Sequence, residues 1–124
     1  MQKEIKRGEI WLVDMGEQKG SLQGGKRPAI IVSNDLANKY SSVIHIMPTT
    51  AQPKKYIPSH AGVPTSSSLI RFSIAMGEQI KLVDKKDIIE KIGVCDKQTT
   101  YEINQAIAIQ FGLVEVRRNN IAYA

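Results

Sequence analysis

A series of short apolar runs, each closed off by glycine, proline or polar residues, constrains the fold most strongly. Glu9–Asp14, Pro28–Ser33 and Val43–Thr49 are rich in β-branched or aromatic side chains. Runs of this length and composition are typical of β-strands. Further strands are predicted at Ser68–Phe72, at Ile74–Leu82, at 87–94 after a turn at Asp84–Lys86, and at Tyr56–Ile57 as a short edge strand.

Clear helical spacing occurs once, over residues 96–113. Asp96 is a suitable N-cap residue. The apolar stripe of this helix comprises Ile103, Ala106, Ile107 and Phe111. A shorter helical turn is predicted at Asp35–Ser42. Strands followed by one C-terminal helix predict a mainly β (α+β) fold, either a small barrel or a strongly twisted antiparallel sheet. We expect Trp11 and Phe111 to pack in its core.

Length and composition fit one globular domain. The chain has 124 residues, of which 42% are hydrophobic and 23% charged, and this is enough for one core. We expect a single domain over residues 1–124, with its core at 6–114 and a tail at 115–124. The apolar run Ile10–Val13 is too short for a signal peptide or a membrane span. The single cysteine, Cys95, cannot form an internal disulfide. These observations favour the cytoplasm and a semi-buried, apolar role for Cys95.

The strongest local signal of function is the segment Gly20–Pro28, which reads GSLQGGKRP. Its adjacent glycines, Gly24 and Gly25, allow backbone N–H groups to approach an anion closely. Lys26 and Arg27 add positive charge, and a guanidinium can bind two phosphate oxygens at once. The net charge of +5 also fits a polyanionic partner. The segment predicts a phosphate site, with a flexible, solvated basic loop as the alternative interpretation.

A few other side chains are candidates for the same surface. The hydroxyls of Thr49 and Thr50 end the third predicted strand and can hydrogen-bond a phosphate, while Tyr56 can stack on a base. A histidine pair could act as acid and base, but His45 fits a sheet position better and His60 a solvated one. The carboxylates are dispersed along the chain, so no metal site is predicted.

Short motifs follow one another along nearly the whole chain. They are RGEIW at 7–11, GSLQGGKRP at 20–28, AIIVSND at 29–35, TAQ at 50–52, PSH at 58–60, EQI at 78–80 and DK at 84–85. In this order they resemble the MazF/PemK (Kid-like) family of toxin endoribonucleases, which belong to type II toxin–antitoxin systems. The combined pattern is specific, whereas each piece alone is weak.

The resemblance implies a CcdB/Kid-type, SH3-like barrel with a C-terminal helix, assembled as a homodimer. It implies metal-independent, cofactor-free and sequence-specific cleavage of single-stranded RNA in the cytoplasm, the activity of an mRNA interferase. It also implies inhibition by an antitoxin whose acidic, disordered segment occupies the RNA groove.

The catalytic arginine and threonine of the family fall on Arg27 and Thr50. Ser21, Gln23, Ser73 and Gln79 match positions near its RNA groove. Together with the candidates above, the predicted RNA-binding set is Ser21, Gln23, Gly24, Gly25, Lys26, Thr49, Gln52, Lys54, Tyr56, His60, Ser73 and Gln79.

One position departs from the family pattern. The family loop usually reads GSEQGG, and Leu22 stands at the glutamate position here. A leucine cannot accept a proton, so the general base is unassigned. Two other functions are left open: a gyrase-inhibiting, CcdB-like toxin of the same fold, and a nucleic-acid-binding module without catalysis.

Overall fold

Seven strands form most of the structure, a computed structural model that describes residues 3–67, 69 and 71–116. The strands are β1 Glu9–Asp14, β2 Lys26–Ile31, β3 Val43–Thr50, β4 His60–Val63, β5 Ser73–Met76, β6 Lys81–Asp84 and β7 Ile88–Val94. The helices are α1 Asp35–Tyr40 and α2 Lys97–Gln110, and short 3-10 turns occur at Thr65–Ser67, Gly77–Gln79 and Lys85–Asp87.

The strands form one antiparallel sheet in the order β4-β5-β3-β2-β1-β7, and β6 pairs with the first half of β3. The prediction of a mainly β fold with a C-terminal helix is confirmed. None of the helices in the described ranges is long and apolar enough to cross a membrane.

Apolar side chains cover both faces of the central strands. Trp11 and Ile31 contribute to one buried cluster, whereas Ile10 and Ile30, their neighbours in the chain, contribute to a second cluster on the opposite face. This follows from the alternation of side chains along a strand. Ile103 of α2 packs into the second cluster, so the helix covers one face of the sheet.

Both helices begin where a side chain caps them. Asn34 accepts a hydrogen bond from the Ala37 N–H at 2.8 Å, and Asp96 accepts one from the Thr99 N–H at 2.8 Å. The bond to Thr99 lowers the pKa of Asp96. The predicted N-cap at Asp96 is therefore confirmed, because an N-cap side chain of this kind satisfies an otherwise free helical donor.

Three strand predictions are wrong in detail. The strand predicted to begin at Pro28 begins at Lys26, because its pairing with β1 continues to the end of that strand. The edge strand predicted at Tyr56–Ile57 is absent, and β4 forms at His60–Val63 instead. The predicted strand Ile74–Leu82 is interrupted by the turn Gly77–Gln79.

Some predictions fall at the margins of the described residues. The strand predicted at 68–72 includes residues 68 and 70, which lie outside the described residues, and its other residues, 69, 71 and 72, are not part of a strand. Most of the predicted tail also lies outside the described residues. Phe111, expected in the core, is 59% exposed. It is the C-cap residue of α2 and lines a surface hollow together with Val32 and Ile80.

Candidate active site

The ends of β2 and β3 bring Arg27 and Thr50 to one site. These strands are antiparallel, and their pairing ends with Ala29 opposite Pro48, two residues from Arg27 on β2 and two residues from Thr50 on β3. Both side chains line an open cleft of about 580 Å³. The lining residues are Arg27, Pro28, Thr49, Thr50, Ala51, Leu69, Arg71, Ser73 and Ile92.

The cleft begins where backbone pairing between β2 and β3 stops. The last paired residues are Ala29 and Pro48. Pro28 and Pro48 have no N–H group, so neither can extend the ladder of hydrogen bonds. Beyond this point the Thr49 hydroxyl joins the strands by its bond to the Pro28 carbonyl. Thr49 and Thr50 are buried and Arg27 is half-buried.

Hydrogen bonds set the roles of the polar groups in the cleft. The Arg27 Nε donates to the Gly24 carbonyl at 2.9 Å, which fixes the plane of the guanidinium. The Thr49 Oγ1 donates to the Pro28 carbonyl at 2.8 Å. The Thr50 Oγ1 instead accepts from the Gln52 N–H at 3.1 Å. This leaves the Thr50 hydroxyl proton free to donate to a ligand oxygen.

The loop at residues 15–25, which joins β1 to β2, folds against itself. The Met15 N–H donates to the Gly25 carbonyl at 2.9 Å, and the Gly25 N–H donates to the Gly16 carbonyl at 2.6 Å. A Cβ atom on Gly24 would lie 2.4 Å from the Gln18 nitrogen, so only glycine fits there. These glycines therefore shape the loop, and the Gly25 N–H is engaged within the loop rather than free for an anion.

Gln79 connects this loop to the turn between β5 and β6. Its Oε1 accepts from the Gln23 N–H at 3.1 Å, and its Nε2 donates to the Ser21 carbonyl at 2.7 Å. Ser21 and Lys26 are exposed, and Gln23 is half-buried. The loop residues predicted to bind RNA are thus held as one group by a side chain from another element.

A second hollow of about 230 Å³, which we call the aromatic pocket, collects another part of the predicted set. It is lined by Lys54, Tyr56, His60, Ala61, Gly62, Phe72 and Ile74. Tyr56 is 61% exposed and Phe72 59% exposed. A Cβ on Gly62 would lie 2.9 Å from the Phe72 ring, so one face of this ring packs against the β4 backbone.

His60 is not the solvated residue that the sequence favoured. Its side chain is 5% exposed, and its Nε2 lies 2.9 Å from the Glu78 carboxylate. Pairing of β4 with β5 places His60 opposite Met76, next to the turn that carries Glu78. The pair therefore joins β4 to this turn.

The segment at residues 71–74 contributes side chains to both hollows. Arg71 and Ser73 line the cleft, whereas Phe72 and Ile74 line the aromatic pocket, as expected for alternating side chains of extended backbone. Gln52 is exposed just beyond β3. One strand of nucleic acid would have to pass the edge of this segment to reach both hollows.

Two other chemistries can be assessed from the side chains. No three His, Cys, Asp or Glu side chains gather as a metal site within the described part of the chain. Burial, with a smaller effect of the Asp96 charge, raises the pKa of Cys95 to about 11. Cys95 is therefore a neutral thiol near pH 7 and a poor nucleophile, in agreement with its predicted apolar role.

Comparison with protein families shows to which family the chain belongs. A family model described as "PemK-like, MazF-like toxin of type II toxin-antitoxin system" matches residues 6–111. The chain belongs to this family. It is 36% identical over 115 residues to a protein named endoribonuclease MazF from Staphylococcus saprophyticus, with 91% of this chain and 96% of the relative covered. This MazF-like toxin is thus a toxin endoribonuclease of a toxin–antitoxin system, as the resemblance implied.

Solved structures confirm the MazF-like fold. MazF from Deinococcus radiodurans (Form-I) superposes with a TM-score of 0.78 at 19% identity, covering 90% of this chain and 99% of that one. A mycobacterial endoribonuclease, solved in complex with its cognate antitoxin, gives a TM-score of 0.76 at 23% identity, with 90% and 99% covered.

Sequence reasoning missed Arg71 and Phe72. Arg71 brings a second guanidinium to the cleft, and Phe72 brings a ring to the aromatic pocket. The spacing of Arg71 two residues before Ser73 was the available signal, because such residues share a face of an extended chain. That signal was hidden because a strand was predicted to end between them.

Proposed function

We propose that this MazF-like toxin cleaves single-stranded mRNA at specific sequences in the cleft, without a metal ion or cofactor. The 2′-hydroxyl oxygen loses its proton to a base and attacks the adjacent phosphorus. The bond from phosphorus to the 5′-oxygen breaks, and the leaving oxygen takes a proton from solvent water. The products are a 2′,3′-cyclic phosphate and a 5′-hydroxyl. Because the nucleophile belongs to the RNA, no metal-bound water is required.

The observation that carries this proposal is that Arg27 and Thr50 line one cleft, just beyond the last paired residues of β2 and β3. Arg27 stabilises the negative charge that develops on the phosphate oxygens and donates a hydrogen bond to the leaving oxygen. Thr50 donates its hydroxyl proton to a phosphate oxygen and so fixes the phosphate. Arginine stays protonated in proteins, so a different group accepts the proton of the 2′-hydroxyl.

The remaining predicted residues are proposed to bind the RNA strand on either side of the cut. Ser73 and Thr49 lie at the cleft, and the loop supplies polar and basic groups next to it. The aromatic pocket suits a base, because Tyr56 and Phe72 offer ring faces and Lys54 a positive charge. The set proposed for direct contact is Ser21, Gln23, Lys26, Thr49, Gln52, Lys54, Tyr56 and Ser73. Gly24 and Gly25 are proposed to act by shaping the loop, and His60 by lining the aromatic pocket while it is paired with Glu78.

The partners are proposed on the same basis. Structures of a mycobacterial endoribonuclease and of the D. radiodurans MazE–MazF pair contain an antitoxin. We propose that an acidic antitoxin segment competes with RNA for the basic cleft, and that the toxin works as a homodimer in the cytoplasm, where mRNA is translated. A solution mass of one chain, or cleavage unaffected by the antitoxin, would contradict this.

The decisive experiment compares the wild type with Arg27→Ala on a long RNA in EDTA. We expect the variant to lose at least about 100-fold in rate, because a preorganised charge at the transition state is removed. Sequencing of the 5′ ends gives the cleavage sequence, and a 2′-deoxy nucleotide at the cut should block the reaction. Lys97→Ala, at the start of α2 and outside the cleft, is the control. Intact RNA with the wild-type protein would refute the proposal.

A further inference from the structure

The side chain of Gln79 is engaged at both ends by backbone that lies far away in the chain. Its oxygen accepts from the Gln23 N–H and its nitrogen donates to the Ser21 carbonyl, at 3.1 and 2.7 Å. A side-chain amide that bonds a donor and an acceptor of one segment fixes both the position and the orientation of that segment. Gln79 therefore clamps the loop at residues 15–25 from outside.

The turn that carries Gln79 is itself held firmly. The Gly77 N–H donates to the Ser59 carbonyl at 2.9 Å, and a Cβ on Gly77 would lie 2.6 Å from that same oxygen. Glu78 pairs with His60 at 2.9 Å. The clamp thus acts from a turn that is fixed to β4.

The clamped loop leads directly to Arg27. Gln23, whose N–H is bound by Gln79, immediately precedes Gly24, and the Gly24 carbonyl accepts from the Arg27 Nε at 2.9 Å. Gly24 packs against the backbone at Gln18 of the same loop, so it moves with the loop as a whole. The orientation of the guanidinium therefore depends on the loop that Gln79 holds.

We propose that Gln79 is a positioning residue, which holds Arg27 in its cleavage-competent orientation through the loop rather than by contact with RNA. This rests on the proposed nuclease function. It also revises the expectation from the family resemblance, which placed Gln79 near the RNA itself.

Amide hydrogen exchange of the RNA-free protein tests the clamp by itself. In Gln79→Ala we expect the Gln23 amide to exchange at least about five-fold faster, the effect of losing one hydrogen bond. Gln79→Glu retains an oxygen for Gln23 but loses the donor to Ser21, so protection of Gln23 should be partly retained. Gln105→Ala, at an exposed position of α2, is the matched control. Unchanged exchange of Gln23 in folded Gln79→Ala would overturn the proposal.

A double-mutant cycle separates positioning from RNA contact. Binding of an uncleavable RNA with a 2′-deoxy nucleotide at the cut is measured for the wild type, Gln79→Ala, Arg27→Ala and the double variant. We expect Gln79→Ala to weaken binding about five-fold when Arg27 is present and to have no further effect when it is absent. An equal loss in both backgrounds would show direct RNA contact and overturn the proposal. If the wild-type protein neither binds nor cuts RNA, the nuclease proposal fails, and the amide exchange still decides whether Gln79 clamps the loop.

Discussion

Single residues determine which chemistry the cleft can perform. Within the described residues the Thr50 hydroxyl accepts from the Gln52 N–H, whereas the hydroxyl of its neighbour Thr49 donates to the Pro28 carbonyl. Adjacent threonines thus have different hydrogen-bond partners. In the proposed mechanism neither Arg27 nor Thr50 accepts the 2′-hydroxyl proton, and Leu22 stands where the family resemblance places a glutamate.

The Leu22 side chain leads to a prediction about the missing base. Leu22 is 61% exposed and has no proton-accepting atom, so its removal should barely change catalysis. We expect Leu22→Ala to keep the cleavage rate within about two-fold of the wild type, as for most surface changes. Leu22→Glu should raise the rate if a carboxylate at this position reaches the 2′-hydroxyl, and should add a limb to the pH–rate profile at acidic pH.

The rate of Leu22→Ala is measured on a short RNA that contains the mapped cleavage site. A loss of ten-fold or more in this variant would show that the leucine itself contacts the RNA and would contradict the prediction. Glu17→Ala, at another exposed position of the same loop, serves as the control for a general disturbance of the loop.

At the scale of elements, a buried carboxylate joins the N-terminal segment to two strands. Glu9 of β1 accepts from the Lys6 N–H at 2.8 Å and from the Trp11 indole at 3.0 Å, and it pairs with Lys91 of β7 at 2.7 Å. Burial raises the pKa of Glu9, but these hydrogen bonds and the Lys91 charge together outweigh it and lower the pKa below its usual value of 4.5.

Glu9→Gln should therefore destabilise the protein and remove part of its acid sensitivity. A lowered pKa in the folded state stabilises the fold above the unfolded-state value near 4.5, and this contribution disappears as the pH falls through the folded-state value. We expect a loss of about 1.5–3 kcal/mol at pH 7, typical of hydrogen bonds to a charged group. The difference in the free energy of unfolding between Glu9→Gln and the wild type should become smaller as the pH falls below about 5.

Urea unfolding at several pH values measures this effect. Glu90→Gln changes an exposed glutamate of β7 and should leave the stability nearly unchanged. A Glu9→Gln protein as stable as the wild type at pH 7 would contradict the prediction.

The central elements could be predicted from the sequence because their residues are buried on both faces. Glu9–Asp14 and the start of β3 at Val43 were predicted at their observed positions. β4 was missed because it is a short strand of four residues with a glycine inside, and neither β propensity nor alternation is strong there. The break at Gly77–Gln79 was missed for a similar reason: a polar turn of three residues looks like the solvent face of a strand.

The sequence predicted those residues of the candidate site that belong to a recognisable motif and also lie at the end of a predicted strand. Arg27 and Thr50 flank two strands that the sequence shows plainly. The clamp by Gln79 joins positions 56 and 58 residues apart, and no local pattern encodes such a contact. The burial of His60 likewise depends on the pairing of β4 with β5, which sequence reasoning did not find.

Over the whole molecule, positive charge and the arrangement of the two hollows are the features on which the proposed RNA binding depends. The net charge is +5, and Arg27 and Arg71 both line the cleft. Each phosphate that a cation neutralises releases counterions, so affinity falls as the salt concentration rises. The number of phosphates bound at the cleft can therefore be read from the salt dependence of binding.

Arg71→Ala should reduce this salt dependence without ending cleavage. For single-stranded nucleic acid, the slope of log affinity against log salt changes by about 0.7 for each phosphate that the protein no longer neutralises. We expect a slope shallower by about this amount, measured with uncleavable RNA by fluorescence anisotropy over a range of salt concentrations. Lys97→Ala should leave the slope unchanged, because Lys97 lies outside both hollows. A parallel shift of the Arg71→Ala line, with weaker binding but the same slope, would show that Arg71 supports the cleft by packing and binds no phosphate.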